Sequence, residues 1–151
     1  MLFRSNLTLI IVNLAGGQLV ALLILAALIS IILGMGMPTM AVYVLLAALV
    51  VPSLIEFGVP VLSAHMFVLY FGMMSMITPP VALAAFAASA ITNANPFSTG
   101  VAAMRMGWAA YVVPFVFVVT PSLLLQGDTN TIAMHMVFSL AGIFEIGRAH
   151  V

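Results

Sequence analysis

The sequence predicts an all-α integral membrane protein built around a re-entrant helical hairpin and a broken transmembrane helix. Three observations carry that reading. Apolar residues fill 66% of the 151 positions and charged residues only 4%, far too little polar surface to coat a soluble globule. Gly34-Met35-Gly36-Met37-Pro38-Thr39 interrupts two apolar arms, and Ile77-Thr78-Pro79-Pro80 interrupts a further apolar run. A continuous helix satisfies its own backbone. Glycine and proline at these places free carbonyls and amides that hydrocarbon cannot satisfy, so both breaks must face protein or a water-filled site.

In chain order, Leu7 to Ala15 is apolar and ends at Gly16-Gly17-Gln18, a break that reads as the tail of a helix. Leu19 to Leu33 carries one polar residue, Ser30, and Met40 to Val51 carries only Tyr43. At about 1.5 Å per residue these arms cover roughly 18 to 23 Å, short of a hydrocarbon core roughly 30 Å thick. A re-entrant hairpin over 18–52 fits better than two crossings. Pro52 to Ser63, with Glu56, Gly58 and Pro60, reads as an interfacial turn. Ala64 to Ile77 and Val81 to Ile91 are again short singly, and joined across Thr78-Pro79-Pro80 they make one broken crossing over 64–91.

Thr92 to Gly107 is the polar link. Within it Asn95-Pro96 reads as an N-cap followed by proline at the first helical position, which predicts a short helix to about Met106. Trp108 to Leu125 is expected to cross the bilayer as a transmembrane helix over 108–125, with Trp108 and Tyr111 at one interface and kinks at Pro114 and Pro121. Gln126 to Asn130 is a turn, and a truncated helix follows over 131–144. Orientation rests on Arg105: positive charge just before the Trp108 span places that link in the cytoplasm and the mouth of the hairpin outside.

The two ends read differently. Met1-Leu2-Phe3-Arg4-Ser5 and Glu145-Ile146-Gly147-Arg148-Ala149-His150-Val151 resemble translated sequencing-adapter ends. Residues 1–5 and 145–151 are therefore expected to be adapter-derived, leaving 6–144 as the native stretch. Within it only Arg105, Glu56 and Asp128 are charged.

Composition excludes several functions. Zero net charge, no lysine and no basic run argue against nucleic-acid binding and an anionic-lipid anchor. Zero cysteine removes disulfides, thiolate metal sites and thiol catalysis. No Ser-His, metal-ligand or paired-carboxylate arrangement is legible, so no enzyme and no cofactor are expected. Met35, Met37, Met73, Met74 and Met76 read as adaptable packing rather than a soft-metal site. His65 and His135 read as packed or interfacial histidines, with a proton relay as the sharper alternative. Glu56 and Asp128 fall in expected turns, so no carboxylate is expected inside the membrane.

The breaks carry the functional reading. Discontinuous helices in secondary transporters place unwound carbonyls around Na⁺ and half-helix N-termini toward anionic groups. Thr39 and Thr78 stand beside the two breaks, and their hydroxyls can join carbonyls around a hard cation. A helix starting near Pro79 would turn its positive end inward and favour a carboxylate. The candidate ion- and substrate-binding residues are Gly34, Gly36, Met37, Pro38, Thr39, Ser75, Thr78, Pro79 and Pro80, with Thr39 and Thr78 the sodium ligands. The plain alternative is a proline kink or tight turn with no ligand.

At these residues the chain resembles a family. The run Gly34-Met-Gly-Met-Pro-Thr-Met-Ala-Val-Tyr, then Val59-Pro60, Ala64-His65-Met66-Phe67, Tyr70-Phe71-Gly72 and Ile77-Thr-Pro-Pro-Val-Ala-Leu-Ala-Ala-Phe look like the large membrane subunit of TRAP transporters. The glycine-methionine-proline tip is most similar to the fused permease type, and the likeness covers about Asn6 to Leu125. It implies a multi-pass protein of the bacterial or archaeal cytoplasmic membrane and a sodium-coupled importer of organic acids such as dicarboxylates. It implies as partners a periplasmic solute-binding protein, a small membrane subunit or its fused equivalent, and membrane lipid. It further implies an elevator-type transport domain of two inverted repeats, of which this stretch is the second. The residue before the tip threonine is acidic in many large subunits and is Pro38 here, which leaves backbone oxygens and threonine hydroxyls as ligands. A channel, or another transporter with re-entrant hairpins, is the competing class; a pore would need a hydrophilic through-path, and none is legible.

Overall fold

The computed structural model describes the backbone of residues 16–148 and the side chains of residues 16–142. The helix tail expected over Leu7 to Ala15, residues 1–5 and residues 149–151 lie outside the described residues. Every regular element described is helical: α1 Leu19–Gly34, α2 Thr39–Leu49, α3 Val51–Glu56, α4 Val61–Met74, α5 Leu83–Thr92, α6 Pro96–Met106, α7 Ala109–Val119, a 3₁₀ turn Pro121–Leu124, and α8 Thr129–Arg148.

The centre of the fold is α4. Its residues Ala64, Phe67 and Val68 are fully buried, and α1, α2 and α7 each lay a face on it. Against lipid there is little transfer gain in burying these groups, so close approach and packing must hold the helices together. Glycine supplies the approach: a Cβ on Gly72 would lie 2.7 Å from Val42 Cγ1 of α2. Aromatic edges supply the packing, with the Phe115 ring of α7 edge-on to Phe67 and Phe71 at centroid separations of 5.3 and 5.6 Å. Such pairs add roughly 0.5 to 1.5 kcal/mol each.

The contacts fix direction. Gly34, at the end of α1, sits on Gly72 and Ser75 at the C-terminal end of α4. Thr39 then lies beside Met76, while Tyr43 one turn on reaches His65 nearer the start of α4, hydroxyl to Nδ1 at 3.1 Å. The arms α1 and α2 therefore run in opposite senses along α4, straddling it rather than packing mainly on each other. Helix α7 is antiparallel to α4: the Ser63 hydroxyl donates to the Phe117 carbonyl at 2.9 Å, and Tyr111 reaches Thr78 beyond the far end.

Several expectations from the sequence change. The second arm does not end at Pro52; it bends at Val50 and continues as α3 to Glu56, because proline is tolerated in the first turn of a helix. The expected turn over Pro52 to Ser63 shrinks accordingly, and α4 starts at Val61 rather than Ala64. The interruption of 64–91 is wider than its proline pair: helix stops at Met74 and resumes only at Leu83, not near Pro79. A residue that precedes proline is pushed out of the α region, and Thr78 and Pro79 are each followed by one, which disfavours helix here and leaves the next to start at Leu83. Asn95 caps α6 as expected, its side chain accepting from Ser98 N.

The expected crossing 108–125 is not one helix. It stops at Val119, Thr120 leaves the helical region, and Pro121 opens the 3₁₀ turn. Among the described residues no single helix is long and apolar enough to cross a membrane; α6 and α7 pass by length and composition only together, bent by 42° at Gly107-Trp108. Arg105 lies in the last turn of α6, the short helix expected to about Met106, on one arm of that bent pair. Gly107 touches Ile77 of the break, so the bend and the break lie side by side. Finally, the last helix runs from Thr129 to Arg148, starting earlier than residue 131 and continuing past 144.

Candidate functional site

The fold brings the two sequence breaks together. The α1–α2 turn, residues 35–38, closes through Met35 N to Ile32 O at 3.3 Å and Met37 N to Gly34 O at 3.4 Å. Gly36 supplies a backbone angle, φ +79°, that residues with a Cβ rarely adopt. A Cβ on Gly34 would lie 2.7 Å from Ser75 Oγ and 3.1 Å from the Gly72 carbonyl oxygen, and one on Gly36 would meet Val81 at 3.9 Å. The Thr39 hydroxyl lies 3.8 Å from the Met76 sulfur. The tip 34–39 is therefore seated on the break 75–82.

Helix α6 closes another side. Gly100 is buried where a Cβ would come within 3.0 Å of Pro79 Cγ and 3.4 Å of Ala82 Cβ. From α7, Tyr111 places its hydroxyl 2.7 Å from Thr78 Oγ1. Its ring also lines an open groove of about 430 Å³ with Val101, Met104, Arg105 and Trp108. Sequence reasoning assigned Tyr111 to a membrane interface. Its contact with Thr78 spans 33 residues of chain, a separation at which no local pattern gives a signal.

Each predicted site residue has a definite environment. Ser75 is buried and donates to the Gly72 carbonyl at 2.5 Å. Thr78 donates to the Met74 carbonyl at 2.6 Å. Gly34 is buried, Met37, Thr39, Thr78 and Pro79 are half-buried, and Gly36, Pro38 and Pro80 are exposed. The break is tied down at one point by Ala84 N donating to the Met76 carbonyl at 3.0 Å. The carbonyls of Ile77, Pro79 and Pro80 accept no hydrogen bond from the described residues. Neither α2 nor α5 has a side-chain cap at its N-terminus, and both helices start at this site.

This chemistry suits a hard cation better than a soft one. Uncommitted carbonyls and two threonine hydroxyls are oxygen donors, and the thioether beside Thr39 is a weak acceptor that leaves the hydroxyl oxygen available. The uncapped N-terminus of α2 favours a carboxylate alongside it, whereas at α5 Leu83 N and Ala84 N already donate to the Val81 and Met76 carbonyls. No group of three or more His, Asp or Glu that could hold a metal occurs among the described residues.

A pairing illegible in the sequence lies elsewhere. Ser122 Oγ is 2.5 Å from His135 Nδ1, beside a cavity of about 220 Å³ lined by Thr120, Leu123, His135, Phe138 and Ser139. The expectation that no Ser-His arrangement exists is therefore corrected. The pair lacks the carboxylate that would orient the imidazole: Asp128 accepts instead from Asn130 N at 3.2 Å at the start of α8. His65, paired with Tyr43, is the packed histidine expected.

Comparison with known proteins gives one match. A family model described as "Tripartite ATP-independent periplasmic transporter, DctM component" matches residues 3–132. No curated protein and no solved structure matches the chain.

Proposed function

The chain belongs to the DctM component family of tripartite ATP-independent periplasmic transporters, and from that premise we propose that it couples sodium entry to import of an organic acid at the junction of its two breaks. Family membership makes it a permease component of a multi-pass membrane transporter rather than an enzyme, working within a tripartite system that includes a binding protein and a small membrane component. In this reading a periplasmic solute-binding protein delivers a carboxylate such as a dicarboxylate to the transporter in the cytoplasmic membrane. The α1–α2 unit is the re-entrant hairpin of an elevator-type repeat, with its tip meeting the interruption between α4 and α5 at the site.

The observation that supports this most is the seating of Gly34 to Thr39 on Ser75 to Ala82. Two interruptions that only spent backbone hydrogen bonds would have no reason to meet. Brought together, they pool unsatisfied oxygens and N–H groups at one place, as an ion and an anion require. Thr39 and Thr78 contribute hydroxyls to sodium, the Ile77, Pro79 and Pro80 carbonyls complete its shell, and the N-terminus of α2 faces the substrate carboxylate. Pro38 and the tip glycines shape the turn that carries Thr39 to the break.

The test is uptake by the full-length transporter, its small subunit and its binding protein in liposomes. An inward sodium gradient should drive accumulation of a labelled organic acid from a panel of mono- and dicarboxylates. Replacing sodium with potassium, or omitting the binding protein, should abolish it. Uptake that proceeds equally in potassium would end the sodium reading.

A further inference from the structure

Thr78 sits in the break between α4 and α5, and its side chain is held twice. Its Oγ1 lies 2.6 Å from the Met74 carbonyl oxygen and 2.7 Å from the Tyr111 hydroxyl. A threonine hydroxyl has one proton and two lone pairs, and a carbonyl can only accept. The Thr78 proton therefore goes to Met74, and Tyr111 must donate to Thr78. One lone pair of Oγ1 remains uncommitted, and the hydroxyl cannot rotate without losing a partner. The Tyr111 hydroxyl makes no other hydrogen bond among the described residues. It is half-buried on α7, and α7 is fastened to α4 below the break by the Phe115 edge contacts and by Ser63.

We infer that Tyr111 is a positioning residue for the ion site, acting through Thr78: it fixes the rotamer and proton direction of that hydroxyl so that its free lone pair is presented without prior reorganisation. This rests on the sodium reading above. A ligand held in place beforehand loses less freedom when the ion arrives. Donation from Thr78 to Met74 also polarises the oxygen toward the cation.

The experiment is sodium titration of the melting temperature of the purified full-length transporter, at constant ionic strength with potassium as the replacement ion. An ion that binds only the native state stabilises it by RT ln(1 + [Na⁺]/Kd), so the sodium concentration needed for a set rise in Tm reads the affinity. Tyr111→Phe keeps the ring and removes the hydroxyl. It should raise the sodium concentration needed for a set rise in Tm about three- to tenfold, the size of losing one hydrogen bond's support. Thr78→Val should shift it at least as far, and the double variant no further than Thr78→Val. In a Thr78→Ser background, where the hydroxyl survives, Tyr111→Phe should still shift the titration.

An unmoved titration in Tyr111→Phe with a shifted one in Thr78→Val would overturn the positioning role. So would full additivity, or a lower Tm in potassium with the sodium-dependent rise in Tm unchanged, since each would make Tyr111 a packing residue. If Thr78→Val and Thr39→Val both leave the titration unmoved, the sodium reading itself fails and takes this inference with it.

Discussion

Replacing Gly34 with alanine should loosen the tip from the break. The added Cβ would lie 2.7 Å from Ser75 Oγ, 3.0 Å from Ser75 Cβ and 3.1 Å from the Gly72 carbonyl oxygen. Serine cannot simply swing away, because its hydroxyl is bonded to that same carbonyl at 2.5 Å. Overpacking of this kind costs about 1 to 3 kcal/mol. Loss of the serine bond adds roughly 0.5 to 1.5 kcal/mol. Against this, alanine gains on glycine at most about 0.5 to 1 kcal/mol in a helix, and less at its last residue. The clash wins, for a net destabilisation of about 1 to 3 kcal/mol on these terms. Thermal unfolding of the full-length transporter in detergent measures it, with Ser75→Gly as the second arm of a double-mutant cycle. Ser75→Gly removes both serine atoms, so the double variant should regain much of the Tm lost in Gly34→Ala and show a coupling above about 1 kcal/mol. A Gly34→Ala protein as stable as its parent, or strict additivity with Ser75→Gly, would refute the seating of tip on break.

Gly36→Ala should also destabilise, by roughly 1 kcal/mol and for a different reason: its φ of +79° strains any Cβ although the space is open, so no substitution at Val81 should rescue its Tm. Asn95→Ala removes the cap on Ser98 N and should lower stability by about 1 kcal/mol, with Asn95→Asp close to the parent in the same melt. Single cysteines at exposed Gln18 and Glu56, the outer ends of the hairpin unit, should label from one face of the membrane in intact cells; labelling from opposite faces would make the α1–α2 unit a pair of crossings.

What the sequence made legible were the breaks and the local signals. Gly34 to Thr39 and Thr78 to Pro80 announced themselves because clustered glycine and proline disfavour continued helix, and Asn95-Pro96 did so because a cap is a contact within one turn. The all-helical character followed from apolar runs. Boundaries were less legible: Pro52 looked like a stop, but proline is harmless in a first turn, and α3 runs on to Glu56. The single helix expected over 108–125 was not found, because apolarity alone does not reveal Thr120 leaving the helix or α6 and α7 forming a bent pair. That the two breaks share one site was an expectation from separated pieces of sequence. Its geometry needed Gly34 on Ser75, Gly100 on Pro79 and Tyr111 on Thr78, contacts that depend on tertiary packing. Tyr111 and the Ser122–His135 pair were missed for that reason.

The most direct test of the central claim, that the joined breaks form the coupling-ion site, is the sodium dependence of uptake by Thr39→Val and Thr78→Val in the full-length transporter. Valine keeps the side-chain shape and removes the hydroxyl. Loss of one ligand of hydrogen-bond strength, about 1 to 3 kcal/mol, predicts a rise of about five- to 150-fold in the sodium concentration for half-maximal uptake, with Thr→Ser milder at each position. Normal expression with unchanged sodium dependence in both valine variants would contradict the claim and leave the two threonines as architecture.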